Sequence, residues 1–242
     1  MKQKVIGILG GMGPEATLDI FKKVIQNTKA KNDQEHIRII IDNNPKIPDR
    51  TNAILKKGEN PVPVMVQSGS ALERAGADFI IIPCISAHFF IEELNEQLNL
   101  PIISAFEEIP AFIARVHPGI KRVGLLATIG TVQGGLFANK IRERGIVAFV
   151  PEPSDQERVN NAIYTIKSSA EPQLREESKK ILIDVANHII ESGAQGIIAG
   201  CTEIPLVLRQ EDISVPFFDS LWILARAAVR EARGEMVEIT QI

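Results

Sequence analysis

The sequence predicts an α/β protein of two similar lobes, each a doubly wound parallel sheet covered by helices, related by a pseudo-two-fold with the active site in the cleft between them. Three observations lead there. Short β-branched runs alternate with amphipathic stretches of helical period, the pattern of parallel strands joined by crossover helices. The 242 residues suffice for two buried cores of roughly 100 to 120 residues each. The halves also repeat in register: Gly7-Ile8-Leu9 matches Gly124-Leu125-Leu126, Gly13 matches Gly130, Gly76-Ala77 matches Gly193-Ala194 and Cys84 matches Cys201, all at an offset of 117 residues.

In order along the first half, strands are expected at 5–9, 37–41, 79–83 and a short one at 102–103, with helices at 16–28, 63–75 and 91–98. The opening run Val5-Ile6-Gly7-Ile8-Leu9 follows a charged start but is broken by glycine and met at once by a helix signal, so it is read as a strand and not as a signal peptide. The second half places strands at 123–126, 147–149, 196–199 and 215–218, and helices at 136–144 and 176–192. The first lobe is therefore 1–115 and the second 116–219, with a C-terminal helix at about 220–233 packing back on the first. The tail 234–242 carries no motif.

Composition narrows the partners. A net charge of -3, scattered basic residues and a single Trp and Tyr supply no electrostatic track or stacking platform for nucleic acid. No apolar run approaches the roughly 18 to 20 residues of a membrane span. A small molecule is the expected partner and the cytoplasm the expected location, where the two cysteines stay reduced.

Those cysteines carry the chemistry. In open α/β sheets ligands bind outside the carboxyl ends of strands. Cys84 ends the strand at 79–83 and opens a helix beginning near Ala87; Cys201 ends the strand at 196–199 and opens the turn Thr202-Glu203-Ile204-Pro205. Two buried structural thiols are the bland alternative, but such thiols have no reason to occupy equivalent strand ends. Facing each other across a cleft, they suit inversion of an α-carbon, in which a base removes a proton from one face and an acid delivers one to the other. A helix N-terminus is expected to lower a thiol's pKa. Backbone N–H groups and hydroxyls of Thr128-Ile129-Gly130-Thr131, Ile85-Ser86-Ala87 and Thr202-Glu203 suit the charge that builds on the α-carboxylate.

The segments Gly7-Ile8-Leu9-Gly10-Gly11-Met12-Gly13-Pro14, Ile47-Pro48-Asp49-Arg50-Thr51, Pro83-Cys84-x-x-Ala87-His88 and Gly200-Cys201-Thr202-Glu203-Ile204-Pro205-Leu206 together resemble the aspartate/glutamate racemase superfamily, its aspartate racemase branch above all. The resemblance runs to about Arg233. It implies an isomerase of amino-acid metabolism that racemises an acidic amino acid, aspartate first, as a homodimer needing neither pyridoxal phosphate nor metal. Cys84 and Cys201 would be its catalytic acid/base pair. Arg50 would hold the side-chain carboxylate, for which a guanidinium fork is well shaped. Lys167 would serve a substrate carboxylate from the second lobe, Met12 and Gly13 would line the pocket through backbone, and Ser86, Thr128 and Thr202 would add hydroxyls, with Ile85 and Ala87 beside them. The family usually reads Cys-Asn-Thr-Ala-His where this chain has Cys84-Ile85-Ser86-Ala87-His88, so an amide that would orient substrate is replaced by Ile85.

Other readings remain. Gly11-Met12-Gly13-Pro14-Glu15-Ala16 satisfies a dinucleotide-binding pattern, with Asp42 placed as a ribose-binding acid, but it explains neither the shared register nor the paired cysteines. Cys84 and His88 could share a metal, yet His36, His117 and His188 show no ligand spacing, and His88 is read as a helix-start residue hydrogen-bonding near the cleft. A broader-specificity racemase, which differs only in pocket dimensions, and a sister isomerase on the same fold are alternatives, and the Ile85 departure motivates a third, a non-catalytic small-molecule binding protein.

Overall fold

The structure is a computed structural model and describes residues 3–234. The reading of the first four residues falls partly, and that of the tail 234–242 mostly, outside these described residues. In chain order the elements are β1 Ile6–Gly10, α1 Pro14–Asn27, β2 Ile39–Asn43, α2 Arg50–Ile54, α3 Val62–Arg74, β3 Phe79–Ile81, α4 Ile91–Asn95, α5 Ala105–Val116, β4 Arg122–Leu126, α6 Ile129–Gly134, α7 Leu136–Glu143, β5 Val147–Phe149, α8 Pro153–Ser168, α9 Pro172–Glu191, β6 Ile197–Ala199, β7 Phe217–Asp219 and α10 Ser220–Arg233.

These strands build the two parallel sheets that the alternation predicts, in the orders β2-β1-β3 and β5-β4-β6-β7. β1 is the hub of the first, running from Ile6 opposite Ile39 to Gly10 opposite Asn43 on one side and pairing Ile8 with Ile81 on the other. All five of its residues are buried, as expected of a parallel strand covered on both faces. The strand expected at 102–103 shrinks to one bridge between Ile80 and Ile102, because Ser104 already occupies the N-cap position of α5. In the second sheet the place beside β6 is held by the full strand β7.

Helix starts differ from expectation where proline sits. α1 and α9 begin at Pro14 and Pro172, whose missing N–H costs nothing in a first turn. The stretch after Cys84 is a 3-10 turn, Ile85–Phe90, and the helix expected at 91–98 is only the short α4. Sequence periodicity did not single out α5, which contains Pro110, nor α8, whose first half is mostly polar.

Three apolar cores hold these layers. One runs from Ile6 and Ile8 through α1, α5 and α10 to Val123, Leu125 and Phe137, so it belongs to both halves. A second lies under α8 and α9, and a third under α3 and α4. α10 packs against α1 and α5, and its N-terminus is capped by Asp219, which accepts from the Leu221 and Trp222 amides at 2.9 and 3.1 Å. Among the described residues no helix is long and apolar enough to cross a membrane.

Candidate active site

Both cysteines follow the carboxyl end of a strand, Cys84 just after β3 at the edge of the first sheet and Cys201 just after β6 inside the second, and both are buried. Close packing fixes each approach. The Cys84 amide donates to the Ile82 carbonyl at 2.8 Å, and the Gly200 amide to the Leu126 carbonyl at 2.7 Å. A side chain at Gly200 would meet Leu125 Cδ1 at 2.6 Å, so glycine lets Cys201 leave the sheet there. The β1–α1 loop is held by Thr17, whose Oγ1 accepts from the Gly11 amide at 2.9 Å and donates to the Gly13 carbonyl at 3.0 Å. Gly11 itself has φ of +93° and approaches the Asn44 backbone so closely that a Cβ would lie 2.3 Å from it.

A cleft of about 430 Å³ has Met12, Gly13 and Arg50 from the first half and Lys167 and Glu203 from the second in its lining, whereas Cys84, Cys201, Ser86, Thr128 and Thr202 lie outside that lining. Arg50 starts α2 behind the cap Asp49. Its Nη1 donates to the Ile47 and Pro48 carbonyls at 3.1 and 2.8 Å and its Nη2 reaches the Met12 carbonyl at 3.5 Å, while its buried Nε has no protein partner. Burial pushes the Arg50 pKa down, but Cys84, against which the guanidinium stands, with Asp49 and Glu203, outweighs this and leaves it raised.

Glu203 organises the other thiol. Its Oε2 accepts from Cys201 Sγ at 2.9 Å and from Thr202 Oγ1 at 3.2 Å, and its Oε1 lies 3.6 Å from Lys167 Nζ. Burial and then the Glu203 charge push the Cys201 thiol well up, with Lys167 opposing. This corrects the expected lowering. The segment that follows Cys201 is a three-residue 3-10 turn, Ile204–Leu206, too short to offset desolvation and a neighbouring carboxylate. Lys167 is pushed down by burial yet raised on balance by Glu203, Cys201 and Cys84, with Arg50 opposing, so all four groups act on one ammonium.

The remaining residues singled out by sequence fall into place unequally. Ser86 Oγ lies 3.5 Å from Thr128 Oγ1, which caps α6 by accepting from the Thr131 amide at 3.4 Å. Ile85 and Ala87 turn their side chains into apolar cores, Ile85 in the cluster that holds Ala105 and Phe106, which leaves their backbone as what they present elsewhere. His88 has both ring nitrogens engaged, by the Ile82 carbonyl at 3.0 Å and the Ala105 amide at 3.1 Å, and so has none for a metal. Glu203 was read only for its backbone. An acid two residues after a cysteine was the available signal, but side-chain direction in an irregular turn has no period to reveal it. Asp49, given no role by the sequence, accepts from the Tyr164 hydroxyl at 3.1 Å and so joins the first half to the second.

Comparison with known proteins agrees with this geometry. A family described as Asp/Glu/hydantoin racemase matches residues 9–228. The broad specificity amino-acid racemase RacX of Bacillus subtilis is 30% identical over 233 residues, covering 93% of this chain and 96% of its own. The structure of the Picrophilus torridus aspartate racemase superposes with a TM-score of 0.84 at 29% identity, over 97% of this chain and 96% of the other. That of an aspartate racemase homologue from Pyrococcus horikoshii gives 0.76 at 28% identity, over 95% and 99%.

Proposed function

This chain belongs to the Asp/Glu/hydantoin racemase family, and on that premise we propose that it racemises an acidic amino acid, aspartate first, with Cys84 and Cys201 as paired base and acid. The observation that carries the reading is the opposite environment of two equivalent thiols: Arg50 stands against Cys84, while Cys201 donates to Glu203. A hydrogen-bonded carboxylate favours the thiol form of Cys201, so one turnover begins with Cys201 as acid and Cys84, beside the guanidinium, as base.

In that turnover the Cys84 thiolate takes the α-proton and becomes a thiol. Cys201 gives its proton to the opposite face of the carbanion and becomes a thiolate beside Lys167, whose charge offsets that of Glu203. The enzyme returns to its starting state when the proton gained at Cys84 is exchanged for one at Cys201 through solvent, or when the opposite enantiomer reacts in reverse. Arg50 and Lys167, both in the lining of the cleft, are the cations for the substrate's side-chain carboxylate and for its other carboxylate. Ser86 and Thr128 supply hydroxyls where enolate charge builds. The proposal includes assembly as a homodimer and the division into lobes at 1–115 and 116–219.

A broad-specificity racemase is the second reading, favoured by the likeness to RacX. Chiral analysis after incubating the reduced protein with aspartate, glutamate and a panel of monocarboxylic amino acids decides between them. Aspartate turned over fastest supports the first reading; comparable rates across the monocarboxylic panel support the second, and turnover of none overturns both.

A further inference from the structure

His88 is fully enclosed, at 2% exposure, and outside the lining of the cleft. Its hydrogen bonds define its state. The Ala105 amide is a donor only, so Nδ1, 3.1 Å away, accepts, and the ring proton sits on Nε2, which donates to the Ile82 carbonyl at 3.0 Å. That carbonyl also accepts the Cys84 amide at 2.8 Å. One oxygen therefore joins the imidazole to the turn that carries the thiol.

The other end of the ring is anchored as firmly. Ser104, at the N-cap of α5, makes no side-chain capping bond, and His88 instead supplies an acceptor for the first amide of that helix. Phe106, on the same turn, lies 5.7 Å from the imidazole and stacks at 4.7 Å on Phe137 of α7. A chain of contacts thus runs from the Cys84 turn through His88 and α5 to the helix layer of the second sheet. Burial pushes the His88 pKa down to about 4, in keeping with a neutral ring that must accept at a helix N-terminus.

We propose that His88 is a positioning residue that fixes the direction in which Cys84 presents its thiol, by clamping the Ile82 carbonyl to the start of α5. The inference rests on the two-thiol reading of the site. Because His88 touches only the Cys84 side, losing it should slow the proton transfers of one cysteine and not of the other. A misplacement of about 1 Å costs on the order of 100-fold in rate, so His88→Phe is expected to lose about 10- to 100-fold in kcat.

The discriminating readout is the α-deuterium isotope effect on kcat/KM, measured separately for the two enantiomers of aspartate in wild type, His88→Phe and His88→Gln. When Cys84's step becomes the slower one, the effect rises for the enantiomer that Cys84 deprotonates and falls for the one it reprotonates. Gln, which offers both a donor and an acceptor, should restore most of the rate and bring both effects back. In parallel, iodoacetamide labelling followed by peptide mass spectrometry should show an altered rate at Cys84 and the wild-type rate at Cys201. Activity lost with both isotope effects and both labelling rates unchanged, or with equal changes at the two cysteines, would overturn the proposal. If the Phe variant does not fold, the same comparisons are made on His88→Asn, which is too short to reach both partners. A wild type that racemises nothing would refute the functional reading alone, and the labelling rates would still decide the role of His88.

Discussion

Cys201 Sγ donates to Glu203 Oε2 at 2.9 Å inside a buried turn, which ties the protonation of one thiol to a carboxylate two residues away. In the proposed mechanism the bond keeps Cys201 a thiol until the carbanion needs its proton. Replacing that carboxylate by a neutral amide removes a charge that raises the thiol's pKa. In a Cys84→Ser background, Glu203→Gln should therefore lower the apparent Cys201 pKa, read from ultraviolet thiolate absorbance against pH. An unchanged pKa would mean that burial alone sets it, and a rise would contradict the assigned effect of Glu203.

In the proposed mechanism each thiol is required once per turnover. Cys84→Ser and Cys201→Ser should each lower racemisation by on the order of 100- to 10,000-fold, the range of one general acid or base, as followed by chiral chromatography. Normal racemisation by either variant would be incompatible with a two-thiol mechanism.

Arg50 lines the cleft and is the proposed partner of the substrate's side-chain carboxylate. Arg50→Ala should cost roughly 1.5–3 kcal/mol on aspartate, or about 10- to 150-fold in kcat/KM, and less on monocarboxylic amino acids. Equal losses on both classes would remove its assigned role.

Stability should fall on acidification through His88. Its folded pKa is lowered to about 4 from 6.5, so its contribution is complete above 6.5 and is lost as pH falls from there towards 4, where the folded ring also takes up a proton. The window carries about 3 kcal/mol. Urea midpoints across it should drop more steeply for wild type than for His88→Gln.

Gly11→Ala forces a Cβ to within 2.3 Å of the Asn44 backbone at a φ of +93°. A loss of about 1–3 kcal/mol is expected from the backbone conformation alone, visible as a lower Tm. An unchanged Tm would show that the loop relaxes freely.

Much of this was written in the residue order. The common register of Gly7, Gly13, Gly76 and Cys84 with their partners in the second half placed both thiols at strand ends, because a duplicated fold repeats its turns before its surface. Arg50 was legible because its loop follows a strand end. Local signals failed where tertiary packing decides. Pro110 hid α5, and a strand at 102–103 was cut to one bridge by the N-cap position at Ser104. The thiol pKa was misjudged at Cys201 because the chain order shows a turn but not its length as a helix, nor the burial around it. Glu203 and His88 stand in the quoted motifs, yet the direction of a side chain in a 3-10 turn follows from its neighbours in space.

The most direct test of the two-thiol account is incubation of the reduced protein with L-aspartate in deuterated water, reading α-deuterium in both enantiomers at low conversion. The account predicts that the D-aspartate formed carries solvent deuterium at the α-carbon while the remaining L-aspartate keeps its protium, since removal and delivery use different groups on opposite faces. D-aspartate that retains the original α-proton, or deuterium entering both enantiomers alike from the start, would contradict it.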